Sequence, residues 1–108
     1  MRKVFEMSYL IERLSKTDAV RALRRCVEEG FIQFLPHSLA RCLERGIDTQ
    51  DVLNVLKRGM IFGEPELDVR RNQWRYKVEG HSSETEELVV IVAFTDENTT
   101  VVVTVISL

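Results

Sequence analysis

The spacing of hydrophobic and polar positions changes once along this chain, near Gly59, and the change separates predicted helices from predicted strands. Before it, apolar residues recur every three or four positions, as they do on a helix with one buried face. Phe5 to Leu14 would form a short opening helix with Leu10, Ile11 and Leu14 on its apolar side. Thr17 can cap a second helix over Asp18 to Glu29, with Ala19, Leu23, Cys26 and Val27 inward and Gly30 as its stop. Phe31 to Leu35 reads as a short strand, and Pro36 permits a turn into a helix closed by Gly46, with Leu39, Cys42 and Leu43 as its expected apolar face. Asp48 or Thr49 caps the next helix, whose stripe is Val52, Val55 and Leu56.

After Gly59 the period becomes two. Met60-Ile61-Phe62, interrupted by Gly63 and Pro65, predicts a strand in an irregular or edge position. Arg70 to Gln73 is the turn that follows. From Gln73 to Glu79 the alternation is clear: Trp74, Tyr76 and Val78 point one way, and Gln73, Arg75, Lys77 and Glu79 the other. Gly80 to Glu86 is a polar loop, and Leu88 to Phe94 and Thr99 to Leu108 are strands apolar on both faces, suited to a sheet centre or a partner interface. The expected architecture is one α+β domain over residues 1–108, with helices over 1–30 and an α+β core over 31–108 whose antiparallel sheet has three to four strands.

Composition narrows the classes. A chain of 108 residues that is 44% hydrophobic can bury a continuous core without a disulfide or metal staple. No apolar run approaches a bilayer span and the first residues lack a secretory signal, so a cytoplasmic protein with no membrane partner is expected. Cys26 and Cys42 fall inside helical patterns and read as buried free thiols. No C-x-x-C or H-x-x-x-H spacing is present, so neither a metal nor a cofactor is expected. The net charge of -2 hides an asymmetry: all 15 Lys and Arg lie in residues 1–77 against 11 of the 17 acids, a balance of +4, and residues 78–108 hold six acids and no Lys or Arg. Overall charge is therefore uninformative about nucleic acid; convergence of the basic positions decides it.

Helical spacing puts His37, Arg41 and Arg45 on one stripe. An imidazole and two guanidiniums in register point to an anionic phosphate. The motif His37-Ser38-Leu39-Ala40-Arg41-Cys42-Leu43-Glu44-Arg45-Gly46-Ile47 resembles the signature of a bacterial family of domains of unknown function. Asp48, Val52 with Val55-Leu56, Gly59-Met60-Ile61, Arg75-Tyr76 and Val103-Thr104-Val105 extend the resemblance over residues 35–106. That family is similar in outline to the RelE/ParE superfamily of small toxins, including the BrnT and MqsR types, which commonly cut RNA and are neutralised by an antitoxin encoded beside them. The resemblance implies a RelE/MqsR-like fold, an endoribonuclease toxin of a type II pair, RNA as substrate and a neighbouring antitoxin as partner. One departure matters: the last two strands carry no Lys, Arg or His.

RNA self-cleavage needs a base for the ribose 2′-hydroxyl, an acid for the leaving 5′-oxygen and fixed cations for the charge developing on phosphate. His37 is the natural candidate for proton transfer. Arg75 or Lys77 could stabilise the transition state, Arg41 could hold a phosphate bidentately with Arg70 and Arg71 as further phosphate contacts, and Tyr76 could donate a proton or stack on a base if its side faces the groove. Each has a structural alternative. His37 could cap its helix, Arg41 could pair with Glu44 or Asp48, Arg45 suits the helix C-terminus, the Arg75/Lys77 face could be a solvated sheet face, and Trp74 and Tyr76 could be core. His81 is expected to be exposed without a role. Two other functions fit the chain: a non-catalytic RNA-binding module, and a domain that dimerises or binds a partner through its apolar strands.

Overall fold

The computed structural model describes residues 12–82 and 86–108. The opening helix expected over 5–14 falls mostly outside the described residues, and its last three positions, Glu12 to Leu14, are not helical. The first described helix, α1 (Lys16–Glu29), starts two residues before the expected point because Ser15 is its N-cap: the Ser15 Oγ accepts from the Asp18 N–H at 3.1 Å. Ala19, Ala22, Leu23 and Cys26 face the core. The chain continues as β1 (Phe31–Phe34), α2 (Pro36–Arg45), α3 (Thr49–Arg58), β2 (Met60–Asp68), β3 (Gln73–His81), β4 (Glu87–Asp96) and β5 (Thr99–Ser107). Asp48 caps α3 by accepting from the Gln50 N–H at 2.8 Å.

The five strands form one sheet in the order β1-β5-β4-β3-β2. All neighbours are antiparallel except β1, which lies parallel to β5 with Phe31 beside Thr99 and Phe34 beside Val102. The α+β reading holds, and the expected antiparallel sheet of three to four strands is corrected to a mixed sheet of five. The segment Phe31-Ile32-Gln33-Phe34 is too short to signal direction, and it adds to the sheet edge from before the helices. At the other edge β2 is broken by a register shift between Phe62 and Glu66, where Gly63 takes φ 67°. That bulge and Pro65 blunt the edge against further pairing.

Helices α1 and α3 cover one face of the sheet. Leu23, Val52, Val55 and Leu56 pack there with Tyr76, Val78, Leu88, Val90, Val92, Phe94 and Val102. The strands β4 and β5 lie inside the sheet, as their two-sided apolar pattern predicts. Arg24 of α1 donates to the Leu56 and Gly59 carbonyls at 2.5 and 2.7 Å, satisfying the orphan carbonyls at the end of α3. Cys26 and Cys42 are buried free thiols, both pushed up in pKa by burial. No helix among the described residues is long and apolar enough to cross a membrane.

Helix α2 buries Cys42 as expected, but it is turned so that the two leucines of its expected apolar face lie outside. Its buried residues are Ser38 and Cys42, while Leu39 is 45% and Leu43 84% exposed. The cause is backbone chemistry on β5. Strand β1 ends at Phe34, Leu35 contributes one more bond to the Val102 carbonyl, and α2 then lies against the rest of β5. There the Ser38 hydroxyl sits 3.0 Å from the Val102 oxygen and 2.7 Å from the Val103 oxygen, beside the bulge that shifts register between Ile91 and Val92. Buried carbonyls must find donors, and a serine one turn before Cys42 supplies one where a leucine could not.

Candidate functional site

The face of the sheet opposite α1 and α3 carries the residues of opposite parity: Gln33 on β1, Val101 and Val103 on β5, Ala93 and Thr95 on β4, Gln73 and Arg75 on β3. A small second apolar cluster of Ala93, Val101 and Val103, with Leu35 and Ile91 against it, forms its floor. Over this floor lies a cavity of about 340 Å³ lined by Gln33, Leu35, His37, Arg71, Gln73, Arg75, Thr95, Val101, Val103 and Thr104. The size is within the range of small-molecule sites. His37 reaches it because Pro36 starts α2 at the end of β1, so the second residue of the helix stands at the rim. Leu35 is the N-cap of α2 and no side chain makes a cap bond, so His37 does not serve as a cap.

The cationic wall is organised by a residue that sequence reasoning missed. Asp68 ends β2 and pairs with Gln73 across the 69–72 turn. Its Oδ2 accepts from Arg75 Nη2 at 2.7 Å and from Arg71 Nη1 at 3.2 Å, and its Oδ1 lies 3.4 Å from the Arg71 N–H. Burial pushes the Asp68 carboxyl up, but the hydrogen bonds from Arg71 and the charges of Arg75 and Arg71 outweigh it and hold the pKa below the usual range. Asp68 therefore stays ionised and fixes two guanidiniums beside the cavity. Its side chain is 11% exposed against 32% for Arg75 and 62% for Arg71, so this is a partly buried triad and not a loose surface pair. The Arg75 Nε is buried and has no hydrogen-bond partner among the described residues, which leaves a spare donor on this group.

The structure brings together three of the candidate residues, His37, Arg71 and Arg75, and separates the others. Tyr76 faces the opposite side of the sheet. It is 2% exposed, its ring packs against that of Phe94 with centroids 5.4 Å apart and planes tilted by 52°, and its hydroxyl accepts from the Leu14 N–H at 2.8 Å. Burial raises its pKa, and it belongs to the core. Lys77 shares the face of Arg75, but it lies 4.0 Å from Glu66 and outside the residues that line the cavity. Arg41 and Arg70 are exposed and also outside the lining. Arg45 stands in the last turn of α2, where a cation complements the helix end. His81 is exposed at the end of β3. Gln33, Gln73, Thr95 and Thr104 were not anticipated. The alternation of β3 marks Gln73, because it shares the face of Arg75, whereas nothing local marks Gln33.

Chemically, the cavity combines an imidazole, two oriented guanidiniums, two amides and two hydroxyls above an apolar floor. Such a set can bind a phosphate and move one proton. Among the described residues no three of His, Cys, Asp and Glu gather as a metal-binding group.

Neither the comparison with curated proteins nor that with solved structures finds a match. Residues 34–107 match the family described as Domain of unknown function (DUF4258), a span that contains β1's last residue, all of α2 and every strand that follows, with all of the cavity lining except Gln33. The chain belongs to this family of uncharacterised domains.

Proposed function

We propose that the protein is a metal-independent endoribonuclease, the toxin of a type II toxin–antitoxin pair, acting on RNA bound in the cavity at the α2 rim. The observation that supports the reading is that His37 lines the same cavity as Arg71 and Arg75. The RelE/ParE-like outline of the chain, nearest to the MqsR arrangement, points the same way, and a small antitoxin encoded nearby is the expected partner, covering the cavity.

In this reading His37 takes the proton of the ribose 2′-hydroxyl. The 2′-oxygen then forms a bond to phosphorus as the bond from phosphorus to the 5′-oxygen breaks. The 5′-oxygen leaves with a proton from water, and the products are a 2′,3′-cyclic phosphate and a 5′-hydroxyl. Arg75 and Arg71 face the phosphate oxygens, where charge accumulates, and Asp68 keeps their forks oriented so that little reorganisation accompanies the step. No step calls for a metal.

The test is RNA cleavage by the purified protein in EDTA, beside His37→Ala and Arg75→Ala. The expected result is a cyclic phosphate end from the wild type, with His37→Ala slower by roughly 10²- to 10⁴-fold, the usual contribution of a general base. Equal cleavage by all three proteins, or none by any, contradicts the assignment.

One observation favours a second reading, RNA binding without cleavage. With Tyr76 turned into the core, the described lining residues include no second proton-transfer group to pair with His37. This reading predicts binding that weakens steeply with salt and leaves the RNA intact.

A further inference from the structure

The two edges of the sheet differ. The β2 edge carries a bulge and Pro65, whereas β1, Phe31-Ile32-Gln33-Phe34, has no proline, charge or bulge, and no strand lies outside it among the described residues. The Phe31 and Leu35 N–H groups turn inward, to the Asn98 and Val102 carbonyls at 2.8 and 3.2 Å. Successive residues of a strand alternate in this respect, so the N–H and C=O of Ile32 and Phe34 point out of the sheet. On the cavity face of the same strand Phe31 is 70% exposed, and Gln33 is exposed too. Charge brackets the strand: exposed Glu28 and Glu29 precede it, and exposed His37 and Arg41 follow.

We propose that this edge pairs with itself, β1 against β1 of a second copy, antiparallel about a two-fold axis at Gln33. The charges on the two flanks select the direction. Parallel strands would set Glu28, Glu29 and Arg41 beside their own counterparts, whereas antiparallel strands bring the acids of one copy toward His37 and Arg41 of the other. Exposed pairs of this kind add little energy, but like charges in the wrong arrangement exclude it. The backbone selects the register. Centring on Gln33 pairs Ile32 with Phe34 of the second copy, so every outward N–H and C=O of both strands finds a partner. Centred on Ile32, Phe34 would meet Gly30, whose N–H already donates to the Cys26 carbonyl at 3.1 Å; centred on Phe34, Ile32 would meet Pro36, which has no N–H. The Gln33 register also lays Phe31 of one copy across from Leu35 of the other, in a pair whose side chains approach closely. Leu35 lines the cavity, so each copy adds an apolar wall to the other's cavity, and both cavities open on one face of a continuous sheet. The pairing does not depend on the RNA reading of that cavity.

Sedimentation velocity of the full chain from micromolar to millimolar concentration, with disulfide trapping at two positions, tests the pairing. The wild type should become a dimer as concentration rises. Phe31→Lys removes the contact with Leu35 and puts a charge at the joint, so the dissociation constant should rise roughly tenfold or more. Phe31 is exposed in the single chain, so this variant should keep the wild-type far-UV circular dichroism. Gln33 faces its own counterpart with about 4.5 Å between Cα atoms, within reach of a disulfide, so Gln33→Cys should be trapped as a covalent dimer by mild oxidation. The two Phe31 positions lie roughly 13 Å apart, so Phe31→Cys should not be trapped. Cys26 and Cys42 are buried, and the wild type should form no such link. A wild type that stays monomeric at every concentration overturns the proposal and leaves the edge to a strand of another protein. A dimer untouched by Phe31→Lys, trapping of Phe31→Cys, or no trapping of Gln33→Cys overturns it as well.

Discussion

Replacing Ser38 by alanine removes one oxygen from the junction on which the candidate site is built. Ser38 is fully buried, and its hydroxyl lies 2.7 Å from the Val103 oxygen and 3.0 Å from the Val102 oxygen. The Val102 oxygen keeps a second donor, the Leu35 N–H at 3.2 Å, so the loss falls mainly on Val103. A buried carbonyl deprived of its donor costs roughly 1–3 kcal/mol, the bond and the unrecovered desolvation together. For a domain of this length the unfolding entropy is about 0.23 kcal/mol per kelvin, so the melting temperature should fall by roughly 4 to 13 °C. Scanning calorimetry with a parallel urea titration measures this, the urea slope being expected to stay unchanged. Because His37 precedes Ser38, loosening the anchor should also lower the turnover of RNA more than its KM. A fall of less than about 2 °C, below the smallest cost expected of an unpaired buried carbonyl, would refute the claim that Ser38 anchors α2 to β5.

Three further outcomes follow from the packing. Gly30→Ala would bring a Cβ to 2.1 Å from the Asn98 carbonyl oxygen and displace the bond from the Phe31 N–H to that oxygen; denaturant unfolding should show a loss of roughly 1–3 kcal/mol or more, and a neutral variant would contradict the close approach. Tyr76→Phe should cost roughly 0.5–1.5 kcal/mol in the same assay, through the lost bond to the Leu14 N–H, and leave RNA cleavage unchanged; a large loss of cleavage without unfolding would put Tyr76 back in the site. The hydrogen bond shared with Glu87, then burial and the charge of Glu87, raise the Glu79 pKa, so its protonated form favours the fold: that stability is complete below the unfolded value near 4.5 and is lost as pH rises through the raised folded value. Glu79→Gln should therefore gain in melting temperature over the wild type as pH rises from 4 to 7, and a constant difference would contradict the shared proton.

Much of the fold was legible because local periodicity and caps carried it. The Gln73 to Glu79 alternation separated Tyr76 and Val78 from Arg75 correctly, Asp48 and Gly46 marked helix ends, and Gly63 with Pro65 marked an edge strand. The orientation of α2 was not legible, since Leu39 and Leu43 make the more apolar stripe and the deciding partners are carbonyls of Val102 and Val103, more than sixty residues away. The parallel pairing of β1 escaped for the same reason: direction in a four-residue strand is set by its neighbour. At the site, His37, Arg71 and Arg75 were named but their meeting was not derivable, because it depends on how the end of β1 lies relative to β3 across β5 and β4. Asp68 was hidden by the bulge in β2, which obscures the alternation that would have aligned it with Gln73.

The central claim is that His37 and Arg75 act on one phosphate in one cavity, and a double-mutant cycle tests it directly. RNA cleavage in EDTA is measured for the wild type, His37→Ala, Arg75→Ala and the double variant. Groups that act as a unit are strongly non-additive, so the double variant should lose little more than the worse single one. Losses that multiply as for independent positions, or a wild type that leaves RNA uncut, would contradict the account.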